Sequence, residues 1–191
     1  MLIRLASPAD ALAVNAIYRP YVTDSVISFE LEPPTDLHMA ARIADTLQQY
    51  PWLVGYSGNR VLGYAYAGRY SARPAYQWSV ETSVYVDINK RRQGVGRALY
   101  QMLLGVLQRQ GYFSSYAGIS LPNPASIALH QAMGFTHIGT YCGAGFKLGA
   151  WHDVGWWQKP LCSYETPAGP PKPISSLMEL HPRLDLHDQC A

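Results

Sequence analysis

The chain has 191 residues, 48% hydrophobic and 15% charged, enough for one domain with a substantial core and too apolar for a disordered chain. Its 15 Lys and Arg against 13 Asp and Glu leave a net charge of +2, which excludes the strong basic field of a typical nucleic-acid binder. No apolar run is long enough to cross a bilayer, and Met1-Leu2-Ile3-Arg4-Leu5 leads into Ser7, Pro8 and Asp10 without the features of a secretory signal, so a cytoplasmic protein is expected. The three cysteines, Cys142, Cys162 and Cys190, form neither a close pair nor a zinc-type spacing, which fits reduced thiols. The 14 tyrosines and five tryptophans exceed what the core needs, so many of their polar edges belong near a surface, an interface or a pocket.

A short strand is predicted over 3–5. Ser7 is a good helix cap, with Asp10 three residues on and Pro8 at the first helical position. Leu12, Val14, Ile17 and Tyr18 then make a helical face. A loop over 21–34 carries Ser25, Ser28, Phe29 and Glu30. Thr35 caps a second helix running towards Tyr50, with Met39, Ile43 and Leu47 as core candidates. Strands over 52–56 and 61–67 flank the turn Ser57-Gly58-Asn59. After a loop over 69–76, a long strand over 78–86 places Val80, Thr82, Val84 and Val86 on one face and Glu81, Ser83 and Tyr85 on the other. A carboxylate in mid-strand needs a reason.

Residues 97–110 read as a helix with Leu99, Met102, Leu103 and Val106 inside, ended by Gly111. A strand over 112–119 follows, then a helix opened by Pro122-Asn123-Pro124 and closed by Gly134. Strands over 135–148 and 154–161 complete the pattern. This order implies an α/β (α+β) domain over 1–165, with a mixed sheet covered by helices. Pro167, Pro170, Pro171 and Pro173 mark residues 166–191 as a proline-rich C-terminal tail or a strap over the surface.

Arg91-Arg92-Gln93-Gly94-Val95-Gly96 joins the apolar strand to an amphipathic helix. Helix N-termini carry free N–H groups, and glycines let a phosphate approach the backbone. With Arg97, the segment suits a diphosphate; the plainer reading is a glycine turn beside solvated arginines. It matches neither the dinucleotide nor the P-loop pattern.

The segment resembles the Gln/Arg-x-x-Gly-x-Gly/Ala signature of the GNAT N-acetyltransferase superfamily. Asn123, Ala128, His130 and Gly134-Phe135 resemble that family's second half, with His130 where a tyrosine is expected. The stretches 78–86, Leu121-Pro122-Asn123-Pro124 and 145–158 are similar to phosphinothricin and methionine sulfoximine acetyltransferases, and the likeness runs from about Ile3 to Leu161. It implies the GNAT fold, with a mixed and mainly antiparallel central sheet flanked by helices. It also implies acetyl-CoA as cosubstrate, a small-molecule amine as acceptor, inactivation of a glutamine-synthetase inhibitor, and a homodimer; it implies no metal, nucleic acid or membrane partner.

The resemblance makes Glu81 the general base; the alternative is a structural carboxylate paired with Arg69, Arg73 or Lys147. It assigns the backbone of Val84, Tyr85 and Val86 to the coenzyme arm and to oxyanion stabilisation. Arg91, Arg92, Gln93, Gly94, Val95, Gly96 and Arg97 would hold the pyrophosphate. Asn123 can hold the coenzyme arm, cap the next helix, or do both. His130 can supply a proton, touch the coenzyme, or pack with a hydrogen bond. Arg73 and Lys147 are candidates for an acidic group of the acceptor, and Phe29, Tyr76 and Trp78 for the apolar side of its pocket. Trp151-His152-Asp153 lacks the further ligands of a metal site and reads as a hairpin turn. The remaining alternatives are a protein N-terminal acetyltransferase and an acyl-CoA binding protein without turnover.

Overall fold

The computed structural model describes residues 1–180. His181, Pro182, Asp185, His187, Asp188 and Cys190, in the expected C-terminal tail, lie outside the described residues. Seven strands form one sheet in the order β1-β2-β3-β4-β5-β7-β6. They are β1 (Leu2–Leu5), β2 (Trp52–Ser57), β3 (Arg60–Arg69), β4 (Ser79–Val86), β5 (Ser114–Ser120), β6 (Thr136–Lys147) and β7 (Ala150–Pro160). Every neighbouring pair is antiparallel except β4 with β5.

Helices α1 (Ala11–Thr23) and α2 (Asp36–Thr46) cover one face, packing Val14, Ile17, Tyr18, Met39 and Ile43 against Trp52, Val54 and Tyr64. Helices α3 (Val95–Gln110) and α4 (Pro124–Ala132) cover the other, where Leu99, Leu103 and Leu107 meet Leu53, Ala65, Val80 and Ala117. The strands alternate between these two cores, so β4 turns Val80 to α3 and Tyr85 to α1.

The junction into α1 is a 3-10 turn over Pro8–Asp10. The Asp10 carboxylate accepts the Ser7 N–H at 2.8 Å and pairs with Arg4 at 2.6 Å. Leu12 corrects the expected apolar face, since it is 68% exposed. It precedes Val14 by two residues, about 200° around the helix, and the larger set Val14, Ile17, Tyr18, Tyr21 and Val22 sets which side is buried. That set also carries α1 past the predicted boundary, through Pro20 to Thr23. Thr35 caps α2, its Oγ1 accepting the His38 N–H at 3.1 Å, and α2 ends at Thr46, short of Tyr50.

The β6–β7 hairpin turns at Leu148-Gly149, with φ of 50° and 81°. Two successive positive φ values suit the twist of a two-residue hairpin. Trp151, His152 and Asp153 therefore lie inside β7, which corrects the turn expected there.

The chain beyond Thr166 crosses the foot of the sheet. Trp78 Nε1 donates to Gly169 O at 3.0 Å, Lys172 N–H donates to Gln110 O at 2.8 Å, and Gln110 Nε2 returns a bond to Lys172 O at 2.8 Å. Helix α5 (Ile174–Leu180) then buries Ile174 and Leu177 against Val106. Replacing Ile174 by Ala is expected to cost about 2 kcal/mol in a urea titration, the low end for such truncations because this satellite cluster is small. A variant with an unchanged midpoint would show that the strap adds nothing to stability.

Candidate active site

Strands β4 and β5 pair only from Ser79↔Ser114 to Glu81↔Tyr116. Beyond that point they separate, and a notch opens between them. Asp87 N–H bonds Leu62 O at 2.9 Å, so by strand alternation the peptide groups of Thr82, Val84 and Val86 point away from β3 and into the notch. Thr82 Oγ1 meets Ser115 Oγ at 2.9 Å, across the vertex.

On the α3 side of the vertex lies a buried polar chain. Tyr100 Oη is 3.1 Å from Thr82 O and 2.9 Å from His130 Nε2. His130 Nδ1 is 2.8 Å from Ser126 O, an acceptor only, so Nδ1 carries the proton. Burial holds the His130 pKa below its ordinary value, opposed by the Ser126 carbonyl. The imidazole is 3% exposed and both its nitrogens are bonded within the protein. Asn123 Oδ1 caps α4 by accepting the Ser126 N–H at 3.2 Å.

The predicted phosphate corner lies at the open end of the notch. Gly94 has φ of 80°, and a Cβ there would meet nothing within 4 Å. The first α3 bond runs from Ala98 N–H to Gly94 O, which leaves the N–H groups of Val95, Gly96 and Arg97 without helical acceptors. A Cβ on Gly96 would lie 3.4 Å from both Val86 and Leu129, so the helix starts tight against β4 and α4. Arg91, Arg92, Gln93 and Arg97 are exposed around it. Free N–H groups, open space and guanidinium charge together fit a diphosphate.

Glu81 faces the other side of the vertex. It is half-buried, and desolvation alone raises its pKa above the usual carboxylate range. It takes part in none of the three ion pairs among the described residues, which join Arg4–Asp10, Arg42–Glu30 and Arg60–Asp87. The partners considered for it are engaged elsewhere or exposed. Arg69 donates to Ala72 O at 2.9 Å, and Arg73 stands exposed before the 3-10 turn Pro74–Tyr76. Lys147 is buried and donates to Val22 O at 2.6 Å and Ser28 O at 2.7 Å.

Beside Glu81, in register on β5, stands Tyr116, stacked on Tyr70 at 4.3 Å. Tyr76 meets Tyr70 edge-on at 5.5 Å and Trp156 does so at 6.4 Å. Tyr76 therefore joins an aromatic wall, whereas Trp78 gives its indole N–H to the strap. Sequence reasoning missed Tyr70 and Tyr116. The alternation of 114–120 puts Tyr116 opposite Ala117 and Ile119, but nothing local pairs it with Glu81. Phe29 covers Gly145 on β6, where any Cβ would collide with its ring, and it lies 6.4 Å from His152.

Lys147 thus fastens the loop carrying Phe29 and Glu30 to β6. Burial lowers the ammonium pKa, and the charge of Glu30 opposes that shift. Lys147→Met strands two buried carbonyls and is expected to cost about 1–3 kcal/mol in urea unfolding, with faster amide exchange over 24–34. Unchanged exchange in that loop would show that the clamp is dispensable.

Among the described residues no three His, Cys, Asp or Glu side chains gather as metal ligands, and no helix is long and apolar enough to cross a membrane. The acetyltransferase (GNAT) domain model matches residues 3–156. The chain is 42% identical over 178 residues to the phosphinothricin N-acetyltransferase of Streptomyces viridochromogenes, covering 93% of this chain and 95% of the relative. It is 34% identical to the L-methionine sulfoximine/L-methionine sulfone acetyltransferase of Salmonella typhimurium, covering 87% of this chain and 98% of the relative. Among solved structures, a phosphinothricin acetyltransferase from Sinorhizobium meliloti in complex with AcCoA superposes with a TM-score of 0.85 at 35% identity, over 91% of this chain and 96% of that one. A notch in a seven-stranded mixed sheet, a phosphate corner at its mouth and these likenesses converge: the chain belongs to the GNAT family and is an acetyl-CoA-dependent N-acetyltransferase.

Proposed function

We propose that the protein acetylates the amino group of a small amino acid analogue of the phosphinothricin or methionine sulfoximine kind, with Glu81 as general base. The observation that carries this reading is Glu81 itself: a half-buried carboxylate without an ion-pair partner among the described residues, at the vertex of the notch. The names of the relatives support the acceptor class.

Acetyl-CoA would supply the acetyl group as a thioester already activated for attack by an amine: the C–N bond forms, the C–S bond breaks, and the coenzyme leaves as its thiol with the second proton of the amine nitrogen. The N–H groups of Val95, Gly96 and Arg97, with Arg91, Arg92 and Gln93 around them, would hold its diphosphate. The peptide groups of Val84 and Val86 face the notch, and Val84 N–H is placed to steady developing negative charge on the carbonyl oxygen. Tyr85 turns its side chain to the α1 core and its peptide groups to β3, where they pair with Tyr64, so the backbone contact expected for it falls to Val84 and Val86 instead. Glu81 takes a proton from the acceptor ammonium, directly or through one water, and so frees the attacking lone pair; its raised proton affinity makes it a better base than an ordinary glutamate. Arg73 offers a planar pair of donors to an acidic group of the acceptor. Tyr70, Tyr76, Tyr116 and Phe29 bound the apolar side, and Lys147 serves that side through the loop it holds. Asn123 and His130 act by position: one caps α4, and the other ties α4 to Tyr100 and β4.

The same reading includes a homodimer in the cytoplasm. Among the described residues β6 is an outer strand, and Ile138, Tyr141, Phe146 and Trp151 are exposed on this hairpin. The unbridged Cys142 and Cys162 fit a reducing compartment. Sedimentation of the wild type as a dimer and of Trp151→Glu as a monomer is the expected result; a monomeric wild type would count against the assembly.

Product mass after incubation with acetyl-CoA and a panel of amino compounds tests the activity. The panel includes phosphinothricin, methionine sulfoximine, ordinary amino acids and a peptide N-terminus. Acetylation confined to the peptide would overturn the acceptor class, and coenzyme binding without any turnover would overturn the activity. Glu81→Gln is expected to lower kcat/KM by roughly 10²–10⁴-fold and to flatten the acid limb of the pH profile. In the wild type that limb lies above the ordinary glutamate value near ~4.3. Because the folded-state pKa is raised, the native state holds the proton more tightly, and stability falls as pH rises from the unfolded to the folded pKa. Glu81→Gln removes that loss, so its melting temperature at pH 7 should equal or exceed that of the wild type.

A further inference from the structure

The peptide group of Val86 faces the notch, yet a side chain from α1 already reaches it. Tyr21 Oη lies 2.6 Å from Val86 O, to which it donates, and Val86 N–H lies 3.4 Å from the same oxygen. The Tyr21 ring is edge-on to Tyr85 at 5.1 Å, and the Arg91 guanidinium carbon sits 5.0 Å above it. Tyr21 is buried, at 7% exposed, and a phenylalanine would fill the same space. Packing therefore explains the ring and leaves the hydroxyl unexplained. The partner of that hydroxyl is the last residue of β4, the free arm of the notch.

We propose that Tyr21 is a positioning residue for the coenzyme. Its hydroxyl holds the unpaired end of β4 in place, so that Val84 and the remaining lone pair of Val86 O present a fixed edge to the pantetheine arm. Its ring holds Arg91 at the diphosphate corner by a cation–π contact. One side chain from the acceptor side of the sheet thus aligns both halves of the coenzyme site. The proposal rests on the placement of the coenzyme given under Proposed function.

The two contacts separate by substitution and by ligand. Tyr21→Phe removes the hydroxyl alone. It should raise the Kd for coenzyme A by about three- to tenfold, the worth of one hydrogen bond, and leave unchanged the Kd for ADP, which keeps a diphosphate and lacks the arm. KM for acetyl-CoA should rise with the coenzyme A Kd, while kcat at saturation stays within about twofold. Tyr21→Leu also frees Arg91 and should weaken both ligands. Calorimetric titration of folded protein reads each value. Tyr21→Phe that binds coenzyme A like the wild type, or that loses coenzyme A and ADP equally, would overturn the proposal. Gly94→Ala serves as the control for the site itself, because an L side chain at φ of 80° strains the corner and should weaken both ligands. If it weakens neither, the placement of the coenzyme fails, whatever Tyr21 does.

Discussion

The parting of β4 from β5 is the constraint on which the rest depends. Parallel strands pair through evenly spaced peptide bonds, and each residue that leaves the ladder exposes an N–H and a C=O that need partners. Here the ladder stops after Glu81↔Tyr116. From Thr82 onward β4 keeps β3 on one side and presents unpaired peptide groups on the other. A protein interior tolerates such an edge only if something fills it. Tyr21 donates its hydroxyl to the Val86 carbonyl, the Thr82 side chain is tied to Tyr100 in the buried polar chain, and Val84 between them is left for a ligand.

The polar groups around the vertex explain why the notch stays open. Ser126, His130, Tyr100, Thr82 and Ser115 are joined by bonds of 2.8–3.0 Å, with Thr82 Oγ1 meeting Tyr100 Oη, and all but Ser126 are buried. A buried network of this kind is costly if half satisfied and rigid when complete. It joins α4, α3, β4 and β5, so sliding one element breaks bonds in the others. The histidine that replaces the family's tyrosine is absorbed into this network. On the opposite face the sheet is lined by Tyr70, Tyr116 and the exposed Gly118, with Glu81 between the two arms. The carboxylate gains nothing from its neighbours and pays for its burial with a raised pKa. Structural carboxylates are ordinarily paired, as Asp10 is with Arg4; a solitary one suits proton transfer.

Most of the fold was legible in the chain. The alternation Val80, Thr82, Val84 against Glu81, Ser83, Tyr85 reports a strand buried on both sides, and Gly94 and Gly96 mark a helix start that phosphate can approach. Those are local signals with a period or a backbone conformation behind them. Leu12 misled because one apolar residue cannot set the phase of a helix whose buried side is defined by five others. Trp151-His152-Asp153 looked like a turn because its polar residues interrupt an apolar pattern, while the two positive φ values fell three residues earlier. The polar pair His152 and Asp153 is accommodated in a strand because Lys147 O and Gly143 N–H supply partners across the hairpin.

By itself the sequence determined the elements, the face on which each strand residue lies, the glycine corner and, through its motifs, the family. Those properties follow from covalent geometry, side-chain periodicity and short-range spacing. Only the tertiary structure decided which polar groups were already engaged. Lys147 closes on Val22 and Ser28, more than a hundred residues away in the chain, and Trp78 closes on Gly169. Tyr116 reaches Glu81 because β5 lies beside β4, and Tyr21 reaches Val86 because α1 crosses the free end of that strand. Hydrogen-bond partners are settled by the order of strands and the crossing of helices, and neither is written in any local pattern.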